Sequence, residues 1–277
     1  MVTSEIRRAM RTLHWLFAVL LLSGTSFALA RAPQTIFLED LTWTELEAQI
    51  LAGKTTIIIP IGGTEQNGPA IALGKHNMRA KSLAQKIATV LGNALVAPVI
   101  AYVPEGALNP PTKHMHFPGT ITVPEDAFQK TLEYAARSFK LHGFRHIVLL
   151  GDHGGYQENL KTVARSLNRE WSAASARVHA IEEYYRAATT GYARTLKLRG
   201  YPDDEIGTHA GLADTSLTLA LAPAQVRADR LSTENRLGVS HGVRGDPRRA
   251  SGELGASGVH LIVSRTVEAI KKAVADR

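Results

Sequence analysis

The chain contains no cysteine, which excludes a disulfide scaffold, a cysteine zinc site and a thiol nucleophile together. Any metal or nucleophile must rest on histidine, carboxylate, hydroxyl or water. Aromatic residues make up only 6% of the 277 positions, and no run of five lysines and arginines occurs. The formal charge of +7 is scattered among acids, without the clustered footprint of a nucleic-acid binder, and no nucleic-acid partner is expected. The apolar stretch from Leu13 to Leu22 is too short for a comfortable membrane span. It follows Arg7, Arg8 and Arg11 and leads to Ala28-Leu29-Ala30, so residues 1–30 read as a cleavable signal peptide. An uncleaved anchor helix is the alternative, because His14 and Trp15 sit near the front of the apolar stretch. Either reading places the body of the protein in the periplasm or outside the cell, with no stable span after signal cleavage. The Arg7-Arg8 pair also admits twin-arginine export.

What is present suits a full core: 44% of residues are hydrophobic and 21% charged. Residues 55–61, 94–102, 146–150 and 177–181 are short β-rich runs with nearly continuous apolar residues, the pattern of strands covered on both faces. Helical stretches lie at 78–91, 124–141, 157–171 and 259–274. In the third, Leu160, Val163, Ala164 and Leu167 mark one buried face. Strands separated by helices predict an α/β fold, a three-layer α/β/α sandwich around a mainly parallel sheet. No linker or repeat interrupts residues 31–277, which read as one domain.

In such sheets ligands bind beyond the carboxyl ends of the strands. Three segments there combine histidine with a carboxylate or amide and glycine: Gly62 to Pro69 followed by Lys75-His76-Asn77, Gly151 to Gly155, and Thr208 to Ser216. None is specific alone. A histidine after a strand can be a helix cap, Asp214 reads equally as a helix cap, and Gly154-Gly155 as a plain turn. Together they offer the donor mix that suits zinc, manganese or iron.

At these residues the chain resembles the creatininase (creatinine amidohydrolase) family. Pro60 to Pro69 with Leu73-Gly74 is similar to P-x-G-S-x-E-Q-H-G-P-H-L-P-L-G-T-D. Phe117-Pro118-Gly119-Thr120 matches F-P-G-T, and Asp152-His153-Gly154-Gly155 resembles N-G-H-G-G-N. His209 to Ser216 resembles H-A-G-x-x-E-T-S, and Gly242 to Pro247 resembles G-V-x-G-D-P. The resemblance implies a metal-dependent hydrolase of non-peptide or unusual C–N bonds on a three-layer fold, assembled as a homo-oligomer, often a hexamer. It makes Glu65 and His153 metal ligands, His209 a residue of proton transfer or substrate contact, and Asp214 the acid of the fourth motif. Two departures concern ligands: Asn67 stands where the family has a ligand histidine, and His76 where it has an aspartate shared by two metals. Ala70 and Tyr156 also depart, and Asp152 stands where the family has glycine. A carboxylate bridges two ions where a neutral imidazole serves one, so one divalent ion per chain is expected.

The resulting expectation is an exported amidohydrolase acting on a small amide, lactam or formamide. Glu65, His76, His153 and Asp214 would hold the ion and leave a position open to water. His209 would hand a proton to the leaving nitrogen; the alternative makes it a capping or supporting histidine. Asn67, His114, Asp152 and Tyr156 are candidate substrate contacts, with Lys75 and Glu105 behind them; His114 and His116 could instead be ordinary surface residues. The competing expectation is a non-catalytic exported binding protein that keeps the fold without the full ligand set, motivated by the substitutions at 67, 70, 76 and 156.

Overall fold

Every residue of the first strand, Thr56–Ile61 (β1), is buried, and its side chains divide by the two-residue period of a strand. Ile57, Ile59 and Ile61 enter one apolar cluster and Ile58 the other. In the computed structural model, which describes residues 35–231 and 237–275, the four strands β1, Ala94–Val96 (β2), His146–Gly151 (β3) and Arg177–Ala180 (β4) form one sheet in the order β2-β1-β3-β4. All neighbours are parallel. The signal peptide and cleavage site expected in residues 1–30 lie outside the described residues.

Helices cover both faces. Trp43–Leu51 (α1), Glu125–Leu141 (α3) and Gln157–Glu170 (α4) pack on the face lined by Ile57 and Ile59, through Leu46, Phe128, Leu132, Leu160 and Val163. Lys75–Leu91 (α2), Leu212–Leu221 (α8) and Gly252–Ala275 (α9) pack on the Ile58 face, through Leu83, Ile87, Leu217, Ile262 and Ile270. Between β4 and α8 run Glu182–Arg186 (α5), a π turn over Ala187–Gly191, Tyr192–Leu198 (α6) and Asp203–Ile206 (α7). This is the expected three-layer α/β sandwich.

Three boundaries differ from the sequence reading. The second strand ends at Val96, not 102, because Pro98 cannot donate to the ladder; the chain touches β1 again at Ile100, whose N–H donates to the Pro60 carbonyl at 3.0 Å. The first crossover helix begins at Lys75, three residues early, because its basic first turn is buried against acids rather than solvated. The last helix begins at Gly252 rather than 259, and Gly255 lets α9 lie against α8. A Cβ on Gly255 would meet the Ser216 carbonyl oxygen at 1.9 Å and its carbon at 2.5 Å.

The crossover after β1 leads to β2 on one side, and the crossover after β3 leads to β4 on the other. The crevice beyond the ends of β1 and β3 is therefore the topological switch point, where open parallel sheets bind ligands. The pairing of Ile61 with Gly151 makes the loops after both strands leave the sheet side by side. Gly255→Ala must separate α8 from α9 and is expected to cost about 2 kcal/mol, within the usual range for overpacking; a fall of several degrees in Tm by calorimetry checks it.

Candidate metal centre and its charged floor

Glu65, four residues past β1, is fully buried, and its two oxygens face different neighbours. Oε1 accepts from His76 Nε2 at 2.8 Å. Oε2 has no hydrogen-bond partner and lies 3.2 Å from His114 Nε2 and 3.5 Å from His153 Nε2. Glu65, His114 and His153 form a group whose donor atoms all lie within 4.8 Å of one another. His209 closes the ring, with Nδ1 3.6 Å from Glu65 Oε1 and Nε2 donating to the Gln66 carbonyl at 2.9 Å. The Gln66 amide nitrogen also lies 2.9 Å from His114 Nδ1.

Below this group lies a floor of buried charge. His76 Nδ1 donates to Asp152 Oδ2 at 2.7 Å, and Asp152 Oδ1 accepts from the Tyr184 hydroxyl at 2.7 Å. Arg79 reaches Asp152 with Nε at 3.3 Å and also pairs with Asp214. Lys75, wholly buried, contacts Asp214 Oδ2 at 2.6 Å and lies 3.8 Å from Glu65. Lys75, His76 and Arg79 balance Glu65, Asp152 and Asp214, as buried charges require.

The surroundings set the protonation states. Burial and Lys75 oppose a charge on His76, but its hydrogen bonds to Asp152 and Glu65 raise its pKa above the ordinary value. Burial lowers His153 to about 3 and, together with Lys75, His209 to about 4, so both rings are neutral at neutral pH. Burial and the charge on Glu65 push Glu105 up to about 9. Its Oε2 lies 3.5 Å from His153 Nδ1, and neither of its oxygens has a hydrogen-bond partner.

The expected ligands thus separate. Glu65 and His153 face each other. His76 has both ring nitrogens on carboxylates, so it clamps Glu65 and offers no lone pair to an ion. Asp214 has one oxygen on Lys75 and the Ala210 N–H and the other on Arg79, which puts it in the floor and at a helix start at once. His114, expected as a substrate contact, joins the donor group instead. Asp152 borders the cavity but is tied to its three partners. Asn67 is buried and donates to the carbonyls of Glu65 and Ala72 at 2.9 and 3.1 Å, holding its own loop. Tyr156 is fully buried; its hydroxyl lies 2.8 and 2.6 Å from the carbonyls of Ile61 and Gly62 and accepts from the His153 N–H at 3.1 Å. It braces the end of β1 and does not border the cavity.

Arg79 and Tyr184 are absent from the sequence reading, and Lys75 enters it only as a further candidate substrate contact. The available signal was the ladder Lys75, Arg79, Leu83, Ile87, where basic residues continue an apolar stripe at four-residue spacing. The departures at 76 and 152 meet in space, since those two side chains are hydrogen-bonded to each other. The cavity above the group has a volume of about 470 Å³, within the range of small-ligand sites.

A carboxylate and two imidazoles convergent on the switch point of a parallel sheet, with an orphaned carboxylate oxygen among them, form a candidate metal centre of the kind that metal-dependent hydrolases use. The model of the creatininase (creatinine amidohydrolase) family matches residues 39–270, and the chain belongs to that family. It is 27% identical over 206 residues to a creatinine amidohydrolase of Pseudomonas putida, covering 72% of this chain and 76% of that one. It is 29% identical over 200 residues to a mycofactocin precursor peptide peptidase of Mycobacterium ulcerans, covering 69% and 68%. A crystal structure of creatininase superposes with a TM-score of 0.71 at 24% identity, covering 88% of this chain and 100% of the other; solved creatininases of the same fold are described as Zn-Zn and Mn forms.

Removing the Asp214 charge would leave Lys75 and Arg79 buried and underpaired. Asp214→Asn is expected to lose about 3 kcal/mol of stability in urea denaturation while the folded fraction keeps its metal affinity, because Asp214 lies in the floor.

Proposed function

We propose that this chain is an exported metal-dependent amidohydrolase that cleaves the C–N bond of a small cyclic or linear amide, using one divalent ion held by Glu65, His114 and His153. The observation that carries the reading is the buried, unpartnered Oε2 of Glu65 facing two imidazole nitrogens. Burying a carboxylate oxygen unsatisfied is costly, and a cation at that point removes the cost. The donor set of one carboxylate and two histidines suits zinc, manganese or iron. One ion is proposed because the position of the shared aspartate carries His76, whose contacts are with carboxylates. Export is supported by the residue pattern of positions 1–30, which favours the periplasm or the exterior, and the family resemblance supports a homo-oligomer. Among the described residues no helix is long and apolar enough to cross a membrane.

The chain's own residues divide the chemistry. A bound divalent ion supplies Lewis-acid polarisation of the scissile carbonyl and acidifies a water at neutral pH. His76 fixes the Glu65 carboxylate through Oε1 and leaves Oε2 to the donor group. His153 has a partner for either tautomer: Nδ1 lies 3.2 Å from the Gly155 N–H and 3.5 Å from Glu105. In the tautomer with its proton on Nδ1, facing Glu105, His153 would present the Nε2 lone pair to the centre. His209 is neutral, and its Nε2–H is held by the Gln66 carbonyl, so Nδ1 is the free basic nitrogen. It takes a proton from the attacking water and passes it to the departing nitrogen, which adds a source for the proton that His209 is expected to hand over.

Elemental analysis of the purified full chain is expected to give about one equivalent of zinc, manganese or iron, lost in His153→Ala with little change in far-UV circular dichroism. An unchanged metal content in that variant would remove the ligand assignment, and absence of metal from both proteins after reconstitution would favour the non-catalytic binding protein. His209→Gln is expected to keep its metal and lose about a hundredfold or more in kcat on any amide that the parent hydrolyses.

A further inference from the structure

The proposed amidohydrolase leaves the substrate's other functional groups open, and one charged residue of the cavity is not used by the centre or its floor. Arg244 borders the cavity together with His114, His153 and His209. Among the described residues its guanidinium has no ion-pair, hydrogen-bond or ring partner. The neighbouring arginines differ: Arg248 is forked onto Asp246, with Nε at 2.9 Å and Nη2 at 2.6 Å, and Arg249 is forked onto Glu205. The cavity's other cations, Lys75, His76 and Arg79, are already neutralised by Asp214, Glu65 and Asp152. A ligand entering the cavity therefore meets one permanently charged, unpaired guanidinium.

The backbone fixes where that charge stands. Arg244 and His209 form an antiparallel bridge: the Arg244 N–H donates to the His209 carbonyl at 2.8 Å, and the His209 N–H to the Arg244 carbonyl at 3.2 Å. Residues directly opposite in such a pair project their side chains to the same face, with Cβ atoms about 4.5–5.5 Å apart. The pairing depends on Gly207, at φ +66°, where a Cβ would meet the Arg244 carbonyl oxygen at 2.1 Å. Arg244 is thus rooted beside His209 in the wall of the same cavity.

We propose that Arg244 binds a carboxylate on the amine half of the substrate, so that the preferred substrates are N-acyl α-amino acids or lactams bearing a carboxylate on the carbon next to nitrogen. The planar two-donor fork of arginine matches the two oxygens of a carboxylate. A substrate carbonyl at Glu65, His114 and His153 places its nitrogen toward His209 and the next carbon's substituent toward Arg244. In the reaction the acyl carbon–nitrogen bond breaks and an acyl carbon–oxygen bond forms from water. One water proton passes through His209 to the nitrogen, and the products are a carboxylic acid and a free amino acid, or a ring-opened amino acid from a lactam.

The test is calorimetric binding to the full chain, with and without zinc, of N-formylglycine, N-acetylglycine and 5-oxoproline, each compared with its own carboxamide. At least one carboxylate is expected to bind tenfold or more tightly than its carboxamide. That preference should fall below twofold in Arg244→Gln and persist in part in Arg244→Lys. Equal binding within all three pairs, or a preference retained by Arg244→Gln, would overturn the proposal. Metal content and hydrolysis are measured on the same samples. A preference that follows Arg244 in a chain without metal or turnover supports the carboxylate site while removing the hydrolase reading. Metal-dependent hydrolysis without any preference does the reverse.

Discussion

The first five residues of α2 carry three basic groups, Lys75, His76 and Arg79, and no acidic one, at the end of a helix where the peptide dipoles already place positive charge. Buried there, those groups depend on carboxylates brought by other elements. Glu65 comes from the loop after β1, Asp152 from the end of β3 and Asp214 from the first turn of α8. The charged floor is therefore also what fastens four segments at the switch point of the sheet. Its geometry follows from that need, and the donor group above inherits its positions from it.

The carboxylates consequently have different work, although their burial is similar. Asp152 and Asp214 are satisfied by cations and hydroxyl and have nothing left for a ligand. Glu65 is satisfied on one oxygen only, and the open oxygen is the one that faces His114 and His153. Exchange of an aspartate for His76 is compatible with this design because Asp152 appears beside it. An imidazolium between two carboxylates keeps the floor neutral, where an isolated imidazole would leave Asp152 and Glu65 without a partner.

Much of the fold was legible because burial on both faces leaves continuous apolar runs, as in residues 56–61 and 146–150, and helices with one apolar face show their period, as in residues 157–170. The site was legible in part. Strand-end histidines and acids pointed to the correct edge of the sheet, and Glu65, His153 and His209 do meet there. Asp214 and His76 look like ligands in the sequence for the same reason that they work as counterions: both tasks need a buried polar group at a strand or helix end. His114 gave a weak signal because it lies in the long segment between β2 and α3, and its place depends on Gln66 and on the 3₁₀ turn at Lys113–His116.

The sequence by itself determined the chemistry available: no thiol, a set of imidazoles and carboxylates after apolar strands, and a right-handed alternation of strand and helix that brings those strand ends to one edge. Only the tertiary structure decided which of these groups face an ion and which face each other. A donor's role depends on the charges within about 4 Å of it, and those charges come from residues as far apart in the chain as Lys75 and Asp214. Local sequence sets a side chain's type and its place on an element. The folded sheet sets its partners, and at this site the partners distinguish a ligand from a counterion.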